Sequence, residues 1–276
     1  MKRIITVQDF SCVGKCSLTV AIPLVSAFGI EACALPTALL STHTAFKHWT
    51  FANLCNNIPD ILTAWKNEDI KFDGFYSGYL GGLDLIEQSK DIIDNYIKKD
   101  GIVLVDPAMG DNGKLYVGFD KEYAKATASL CAKADVITPN ITEACFMLDV
   151  PYSDKYDVDY LNSLCDGLKK LGAKNVIITG VRKGNEVGVY CSYEDGSIYE
   201  YFAEREVQDF HGTGDIYSSV FYGALMNGCS LSACAKFACD FVKKCINVTL
   251  NEENHATYGV NFEQCTSEIV DFLRSL

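Results

Sequence analysis

Unbroken runs of aliphatic residues alternate with helical patterns along this chain, and this alternation constrains the fold most. Strands that are buried on both faces give continuous apolar segments of this kind. Strands are predicted at 4–7, 32–35, 72–76, 101–105, 135–138 and 175–179. Helices are predicted at about 15–28, 83–98, 141–149, 158–171, 214–227 and 231–248. The alternation predicts an α/β fold with a mainly parallel sheet that is covered by helices on both faces.

Two further segments, 186–192 and 197–203, alternate apolar and polar residues and flank the turn Glu194-Asp195-Gly196. This pattern is typical of an antiparallel hairpin, which we place at the edge of the sheet. No linker, repeat or low-complexity stretch divides the chain. Residues 1–276 are therefore predicted to form a single domain.

The charge balance narrows the possible partners. The net charge is −12 and hydrophobic residues make up 49% of the chain. Such an acidic protein is not expected to bind nucleic acid or an anionic membrane, although ATP stays possible because amides and a metal neutralise its phosphates. The 13 cysteines include no Cys-x-x-Cys pair, and no signal peptide or membrane span is found. We predict a reduced, cytoplasmic enzyme whose cysteines mostly serve as small apolar residues.

The strongest local motif is Asp209-Phe210-His211-Gly212-Thr213-Gly214-Asp215, which leads into an apolar helical pattern. A helix start presents free N–H groups to an anion such as a phosphate, and glycines let the backbone approach it closely. Asp215 beside such an anion is suited to accept a proton from a substrate hydroxyl during phosphoryl transfer. The alternative is an acidic residue that only stabilises the helix dipole.

Polar residues follow almost every predicted strand. In parallel α/β sheets, ligands bind beyond the carboxyl ends of the strands. The residues expected there are Asp9, Thr37, Thr44, Ser77, Gly78, Tyr79, Asp106, Thr138, Asn140, Glu143 and Thr179. Their convergence from distant parts of the sequence predicts a ligand site at this edge.

Asp106 closes the strongest predicted strand and begins the sequence Asp106-Pro107-Ala108-Met109-Gly110-Asp111. Its carboxylate is suited to hold Mg²⁺ through water, since Mg²⁺ prefers oxygen ligands and keeps much of its hydration shell. The alternative is a strand-end turn without a ligand. Residues 112–118, which follow, are predicted to be a lid. The segment Thr138-Pro139-Asn140-Ile141-Thr142-Glu143 joins a strand end to a helix start, for which helix capping is the alternative role.

Two familiar nucleotide-binding motifs are excluded. Val13-Gly14-Lys15-Cys16-Ser17 resembles a P-loop, but Asp9 stands at the position of the first glycine and Cys16 at that of the hydroxyl residue. Gly212-x-Gly214 lacks the third small residue of a dinucleotide fingerprint, because that position is Tyr217.

Residues 40–49 combine hydroxyl groups, two histidines and aromatic rings. They are suited to line a pocket for an aromatic substrate, and a surface loop is the alternative. His211, which precedes the anion turn, is assigned either a structural or a substrate-contacting role.

Together these motifs resemble the ribokinase-like superfamily and, within it, the pyridoxal kinases. The superfamily marker is Gly212-Thr213-Gly214-Asp215. The narrower markers are Ser41-Thr42-His43-Thr44 with Trp49, Ser77-Gly78-Tyr79-Leu80-Gly81, Asp106-Pro107-Ala108-Met109-Gly110 and Thr138-Pro139-Asn140-x-x-Glu143. The resemblance covers nearly the whole chain and implies a three-layer α-β-α fold.

The resemblance implies phosphorylation of the 5′-hydroxymethyl group of vitamin B6 vitamers by ATP, with Mg²⁺ as cofactor and K⁺ as a candidate second cation. Asp215 would be the catalytic base, and the amides of Gly212, Thr213 and Gly214 would form the anion hole. The metal and phosphates would be organised by Asp106 and Glu143, with Thr138 near a cation site.

The resemblance also implies the binding residues. Asn140, Thr179 and the segment 204–210 would border the nucleotide. Asp9, His43, Thr44 and Tyr79 would contact the pyridine ring. Family members usually form homodimers with the ring pocket near the interface.

Some residues depart from the pyridoxal kinase pattern. Asp9 stands where many of these enzymes carry serine, and an acidic residue there is similar to the hydroxymethylpyrimidine kinases of the same superfamily. Ala45 and the pair Ala38-Leu39 differ as well. An aspartate would favour a cationic vitamer such as pyridoxamine, or accept a hydrogen bond from a phenolic or amino group.

Four other functions compete with a pyridoxal kinase. The nearest is a hydroxymethylpyrimidine kinase that serves thiamin synthesis. A sugar kinase is disfavoured by the aromatic rings and histidines of residues 41–49. A non-catalytic vitamer sensor would not need the combined set of Asp215, Asp106 and Glu143, and a dehydrogenase would need the missing dinucleotide fingerprint.

Overall fold

The structure, a computed structural model, describes residues 1–206, 208 and 210–276. The strands are β1 (Arg3–Val13), β2 (Glu31–Thr42), β3 (Phe51–Asn53), β4 (Phe72–Ser77), β5 (Ile97–Val105), β6 (Gly110–Asp111), β7 (Lys114–Leu115), β8 (Val136–Ile137), β9 (Asn175–Lys183), β10 (Glu186–Ser192) and β11 (Ile198–Glu204). Within these ranges, all but β6 and β7 form one sheet in the order β11-β10-β9-β8-β5-β4-β1-β2-β3.

The sheet is parallel from β9 to β2 and antiparallel at both edges, where β10 and β11 lie on one side and β3 on the other. Successive side chains along a strand point to opposite faces. Val103 and Val105 accordingly pack into one hydrophobic core, and Leu104 between them packs into the other. This two-sided burial explains the unbroken apolar runs in the sequence.

Helices cover both faces of the sheet. The helices are α1 (Leu18–Ala27), α2 (Ile58–Asn67), α3 (Leu83–Tyr96), α4 (Lys121–Cys131), α5 (Ile141–Leu148), α6 (Val158–Lys170), α7 (Thr213–Met226), α8 (Leu231–Leu250) and α9 (Thr266–Arg274). Helices α2 to α6 bury their apolar residues against one face, and α1, α7, α8 and α9 against the other. The predicted three-layer α/β class is confirmed, as is the edge hairpin β10–β11.

Strands β1 and β2 extend several residues beyond their predicted carboxyl ends. Asp9 and Thr37 were expected after these strands but lie within them. Asp9 falls at an irregularity in the β1–β2 register, between Gln8 and Phe10. Such irregularities redirect side chains, so Asp9 can leave the regular alternation of the strand. The edge strand β3 and helices α2, α4 and α9 were not predicted.

The cysteines in the described ranges are all free thiols, and seven of the thirteen are buried. Their use as small apolar residues is thus confirmed for just over half of them. Among the described residues, no helix is both long and apolar enough to cross a membrane.

Candidate active site

The anion turn is built by glycine geometry at the start of α7. Gly212 has φ +77°, in the left-handed region that favours glycine, and caps the helix. A Cβ atom on Gly212 would lie 1.9 Å from the carbonyl oxygen of Lys15, so a side chain has no room. A Cβ on Gly214 would meet nothing within 4 Å. The Thr213 hydroxyl donates to the Phe210 carbonyl at 3.2 Å, so its role here is to brace the turn.

Asp215 lies in the first turn of α7 and is half-buried. Burial of the carboxyl and repulsion from Asp106 raise its pKa to about 8. The nearby backbone N–H of Ser17 lowers the pKa of the carboxyl, while the charge of Asp9 raises it further. A carboxyl group whose pKa is moved towards neutrality is suited to proton transfer near pH 7.

Asp106 is tied to α7 by a buried chain of hydroxyl groups. Ser218 Oγ donates to Asp106 Oδ2 at 2.8 Å, and the hydroxyls of Ser218 and Thr138 lie 3.0 Å apart. Burial raises the pKa of Asp106 to about 7. Ser218 stands three residues after Asp215. These hydrogen bonds therefore hold the start of α7 against the ends of β5 and β8.

Glu143 and Asn140 form a capping box at the start of α5. Asn140 Oδ1 accepts the Glu143 N–H at 3.0 Å, and Glu143 Oε2 accepts the Asn140 N–H at 2.8 Å. Glu143 Oε1 also accepts the Met109 N–H at 3.1 Å. Burial and repulsion from Asp106 raise the pKa of Glu143. Capping, the alternative considered from the sequence, is therefore one role of both residues.

Asn140 also connects the neighbouring segments. Its Nδ2 donates to the Gly110 carbonyl at 2.8 Å, which ties the hairpin β6–β7 to the start of α5. Asn140 also forms an isolated parallel β-bridge with Thr179, and the Thr179 N–H donates to the Pro139 carbonyl at 2.9 Å. The predicted nucleotide residues Asn140 and Thr179 are thus neighbours. Within the predicted nucleotide segment 204–210, Val207 and Asp209 lie outside the described residues.

The carboxylates at this edge fit a magnesium site. In the described part of the chain, no ion pair involves Asp106, Glu143 or Asp215. The described residues also contain no group of three or more His, Cys, Asp or Glu arranged as a metal cage. Mg²⁺ is commonly held by one or two carboxylates together with water and substrate phosphates, which matches Asp106 and Glu143.

Tyr116 was not singled out in the sequence. Its phenol has a raised pKa because of burial and the nearby carboxylates of Glu143, Asp111, Asp215 and Asp106. Tyr116 follows the hairpin β6–β7 and is 44% exposed, with its phenol near enough to these carboxylates to feel their charge. Its only sequence signal was its place in the predicted lid.

The predicted ring-binding residues gather beside the anion turn. Asp9 is buried, accepts the Ser11 hydroxyl at 3.2 Å and has a pKa raised by burial. Burial and the charge of Asp9 raise the pKa of Tyr79. His43 Nδ1 accepts the Ala45 N–H at 3.2 Å, so Nε2 carries the proton and donates to the Tyr258 carbonyl at 3.0 Å.

Thr44 and His211 lie beside these ring-binding candidates. Thr44 is exposed next to the buried His43. The rings of His43 and His211 lie 5.4 Å apart, which connects the ring pocket to the anion turn. The predicted substrate and phosphate residues are therefore adjacent in space, as transfer between two bound ligands requires.

Comparison with known proteins identifies the family. The phosphomethylpyrimidine kinase family matches residues 22–260, and the chain belongs to this family of kinases within the ribokinase-like superfamily. It is 36% identical to a Bacteroides thetaiotaomicron protein described as a phosphomethylpyrimidine kinase and crystallised with pyridoxal. The two structures share a TM-score of 0.93 over 98% of this chain and 96% of the other.

Two relatives are named pyridoxal kinases. The crystal structure of pyridoxal kinase from Lactobacillus plantarum has a TM-score of 0.92 and 29% identity, and covers 100% of this chain and 99% of its own. Pyridoxal kinase of Dictyostelium discoideum is 27% identical over 270 residues, which is 91% of this chain and 87% of the relative. The fold and the kinase family predicted from the motifs are confirmed.

Proposed function

We propose that this protein transfers a phosphoryl group from ATP to the 5′-hydroxymethyl group of pyridoxal, pyridoxine or pyridoxamine. The observation that carries the proposal is the placement of Asp215, three residues after the glycine cap of α7, with a pKa raised to about 8. The pyridoxal bound to the Bacteroides thetaiotaomicron relative supports a B6 vitamer as the substrate.

Asp215 accepts the proton of the substrate hydroxyl as that oxygen bonds to the γ-phosphorus and the bond to the β-bridging oxygen breaks, which releases ADP. The N–H groups of Gly212, Thr213 and Gly214 stabilise the charge that develops on the phosphoryl oxygens. Asp106 and Glu143 would hold Mg²⁺, which when bound neutralises charge on the phosphates. Asn140 and Thr179 would position the nucleotide, and Asp9, His43, Thr44 and Tyr79 the ring.

The test is ADP formation with Mg-ATP and pyridoxal, pyridoxine, pyridoxamine, hydroxymethylpyrimidine or ribose. Asp215→Asn should lose at least a hundredfold in kcat, since general base catalysis contributes about 10²–10⁴-fold. Asp159→Asn is the matched control, because Asp159 also lies in the first turn of a helix, α6, and is exposed. Near-normal turnover by Asp215→Asn would refute the assignment of the base.

A hydroxymethylpyrimidine kinase is the second candidate, favoured by the family description and by Asp9. Asp9 is a buried acceptor at the ring pocket and could receive a hydrogen bond from the amino group of a pyrimidine. Turnover on the pyrimidine alone would establish this function and leave the mechanism unchanged. Binding of a vitamer without turnover of ATP would indicate the sensor.

A homodimer is part of the proposal. Val13, Leu39, Trp49 and Phe51 are each 45–48% exposed, and they lie at or next to the sheet edge formed by β2 and β3. Apolar side chains gathered at one edge are suited to an interface between two copies. Light scattering should give a dimer mass that Phe51→Asp reduces to the monomer. Replacing K⁺ by tetramethylammonium in the assay tests the predicted second cation near Thr138.

A further inference from the structure

The segment that resembled a P-loop touches both parts of the phosphoryl-transfer site. Residues 14–17, named here the Lys15 loop, run between β1 and α1. The carbonyl oxygen of Lys15 occupies the space where a side chain on Gly212 would project. The backbone N–H of Ser17 faces the Asp215 carboxylate closely enough to lower its pKa. The backbone of this loop therefore sets the position of both the anion turn and the base.

The side chain of Lys15 anchors the loop to the other end of the chain. Lys15 Nζ lies 2.9 Å from Asn261 Oδ1 and 2.9 Å from Glu263 Oε2. Its side chain is only 17% exposed, while that of Glu263 is 55% exposed. The aliphatic stem packs on Gly259, where a Cβ atom would lie 2.6 Å from that of Lys15. The ammonium also lies 5.8 Å from the ring centroid of Phe262.

The segment that receives Lys15, residues 258–263, is itself fixed and is named here the C-terminal clamp. The Asn261 N–H donates to Thr249 Oγ1 in α8 at 2.7 Å. The Tyr258 carbonyl accepts the Nε2 proton of His43. His43 in turn packs on Gly14, where a Cβ atom would lie 2.3 Å from His43 Cδ2. The loop is thus held on one side by His43 and on the other by the clamp.

We propose that Lys15 is a positioning residue for phosphoryl transfer, and that its bonds to Asn261 and Glu263 hold the anion turn and Asp215 in the reactive geometry. The inference rests on the proposed kinase function. Lys15 reaches the turn through its own backbone, whereas its ammonium is bound by the C-terminal clamp. Removing the ammonium frees the loop but leaves the substrate pockets formed, so kcat falls and KM changes little.

The test compares Lys15→Met, which keeps the apolar stem, with Lys15→Arg, which keeps the charge. Lys133→Met is the matched control, since Lys133 binds Asp94 in an ion pair away from the site. We expect Lys15→Met to lose about 10–100-fold in kcat, in line with the effect of a displacement of about 1 Å, with each KM within about threefold. Lys15→Arg should recover most of the loss, and Lys133→Met should equal the unsubstituted protein.

Glu263→Gln and the double variant Lys15→Met/Glu263→Gln complete a double-mutant cycle. The double variant should be no slower than Lys15→Met, because both changes break the same contact. A kcat for Lys15→Met within twofold of the unsubstituted protein, or a loss that adds fully in the double variant, would overturn the inference.

Hydrogen exchange separates this inference from the proposed function. The amides of residues 212–217 should exchange faster in Lys15→Met than in Lys133→Met, and unchanged exchange would refute the role of Lys15. If the unsubstituted protein turned over no substrate, the kinase proposal would fail. The exchange measurement would still decide whether Lys15 holds the turn, because it needs no turnover.

Discussion

Replacing Gly212 with alanine should damage both the stability of the fold and the chemistry. A left-handed conformation costs a residue with a Cβ atom about 1–2 kcal/mol. The new Cβ would also lie 1.9 Å from the Lys15 carbonyl oxygen, where contacts under 3.0 Å are essentially never found. The Lys15 loop and the anion turn must therefore separate by about 1 Å. Overpacking of this kind costs about 1–3 kcal/mol, which gives a total of about 2–5 kcal/mol.

This loss of stability corresponds to a fall in Tm of several degrees, at about 2–4 °C per kcal/mol. Turnover should fall by about 10²–10³-fold, the effect of losing one preorganised donor to a developing anion. Thermal unfolding gives the first quantity. ADP formation at a temperature well below both unfolding transitions gives the second.

Gly196→Ala is the control that isolates the conformational term. Gly196 also has a positive φ, +85°, in the turn between β10 and β11, but a Cβ there meets nothing within 4 Å. It should lose only about 1–2 kcal/mol and keep full activity. If Gly212→Ala matched Gly196→Ala in both Tm and kcat, the close contact between the loop and the turn would not exist as described.

Three further changes follow from the same site. Gly214→Ala has open space for its Cβ, so its Tm should stay within about 2 °C of that of the unsubstituted protein. Its kcat should fall about a hundredfold, because the methyl group enters the space assigned to the phosphoryl oxygens. Calorimetry with ADP checks whether nucleotide binding falls as well. Asp106 and Asp215 have folded-state pKa values of about 7 and about 8, raised above the unfolded values near 4. A carboxyl whose pKa is raised by folding stabilises the protein fully below pH 4, and this stability is lost as the pH rises towards 8. The free energy of unfolding of the metal-free protein should therefore fall with rising pH, by up to about 1.4 kcal/mol per pH unit for each carboxyl. Urea titrations in EDTA test this, and a slope unchanged in Asp106→Asn would contradict it. Asp9→Ser should lower kcat/KM for pyridoxamine relative to pyridoxal, because the buried carboxylate that attracts a cationic vitamer is gone; an unchanged ratio would remove the role given to Asp9.

The architecture could be predicted from the sequence because a strand buried on both faces of the sheet has an unbroken run of apolar residues. The strand ending at Val105 and the turn at Gly196 were found from single segments. The carboxyl ends of β1 and β2 were placed too early because Gln8-Asp9 and Pro36-Thr37 interrupt the apolar runs before the strands end. Helices α2 and α4 were missed, since their short apolar faces are interrupted by polar residues.

Candidate site residues could be predicted where they directly follow a strand or stand at the start of a helix. Asp106 and Glu143 were expected to converge, because parallel strands end at one edge of the sheet, and Asp215 was singled out by its glycine turn at a helix start. Lys15 was discarded with the P-loop, since nothing in its spacing shows that its partners Asn261 and Glu263 lie at the other end of the chain. Contacts between segments that are distant in sequence produce no periodic pattern of residues, so they become visible only in the folded structure.

In the proposed mechanism, one cluster of carboxylates would serve both metal binding and base catalysis. Asp106 raises the pKa of Asp215. Asp106 is buried and Asp215 is half-buried, and neither has a basic partner among the described residues. A cation held at Asp106 would remove that repulsion and lower the pKa of Asp215, while burial, the larger cause, would still raise it. The nearby basic residue, Lys15, is turned away towards Asn261 and Glu263, so its charge is used to position the anion turn and leaves the carboxylates free for a metal ion.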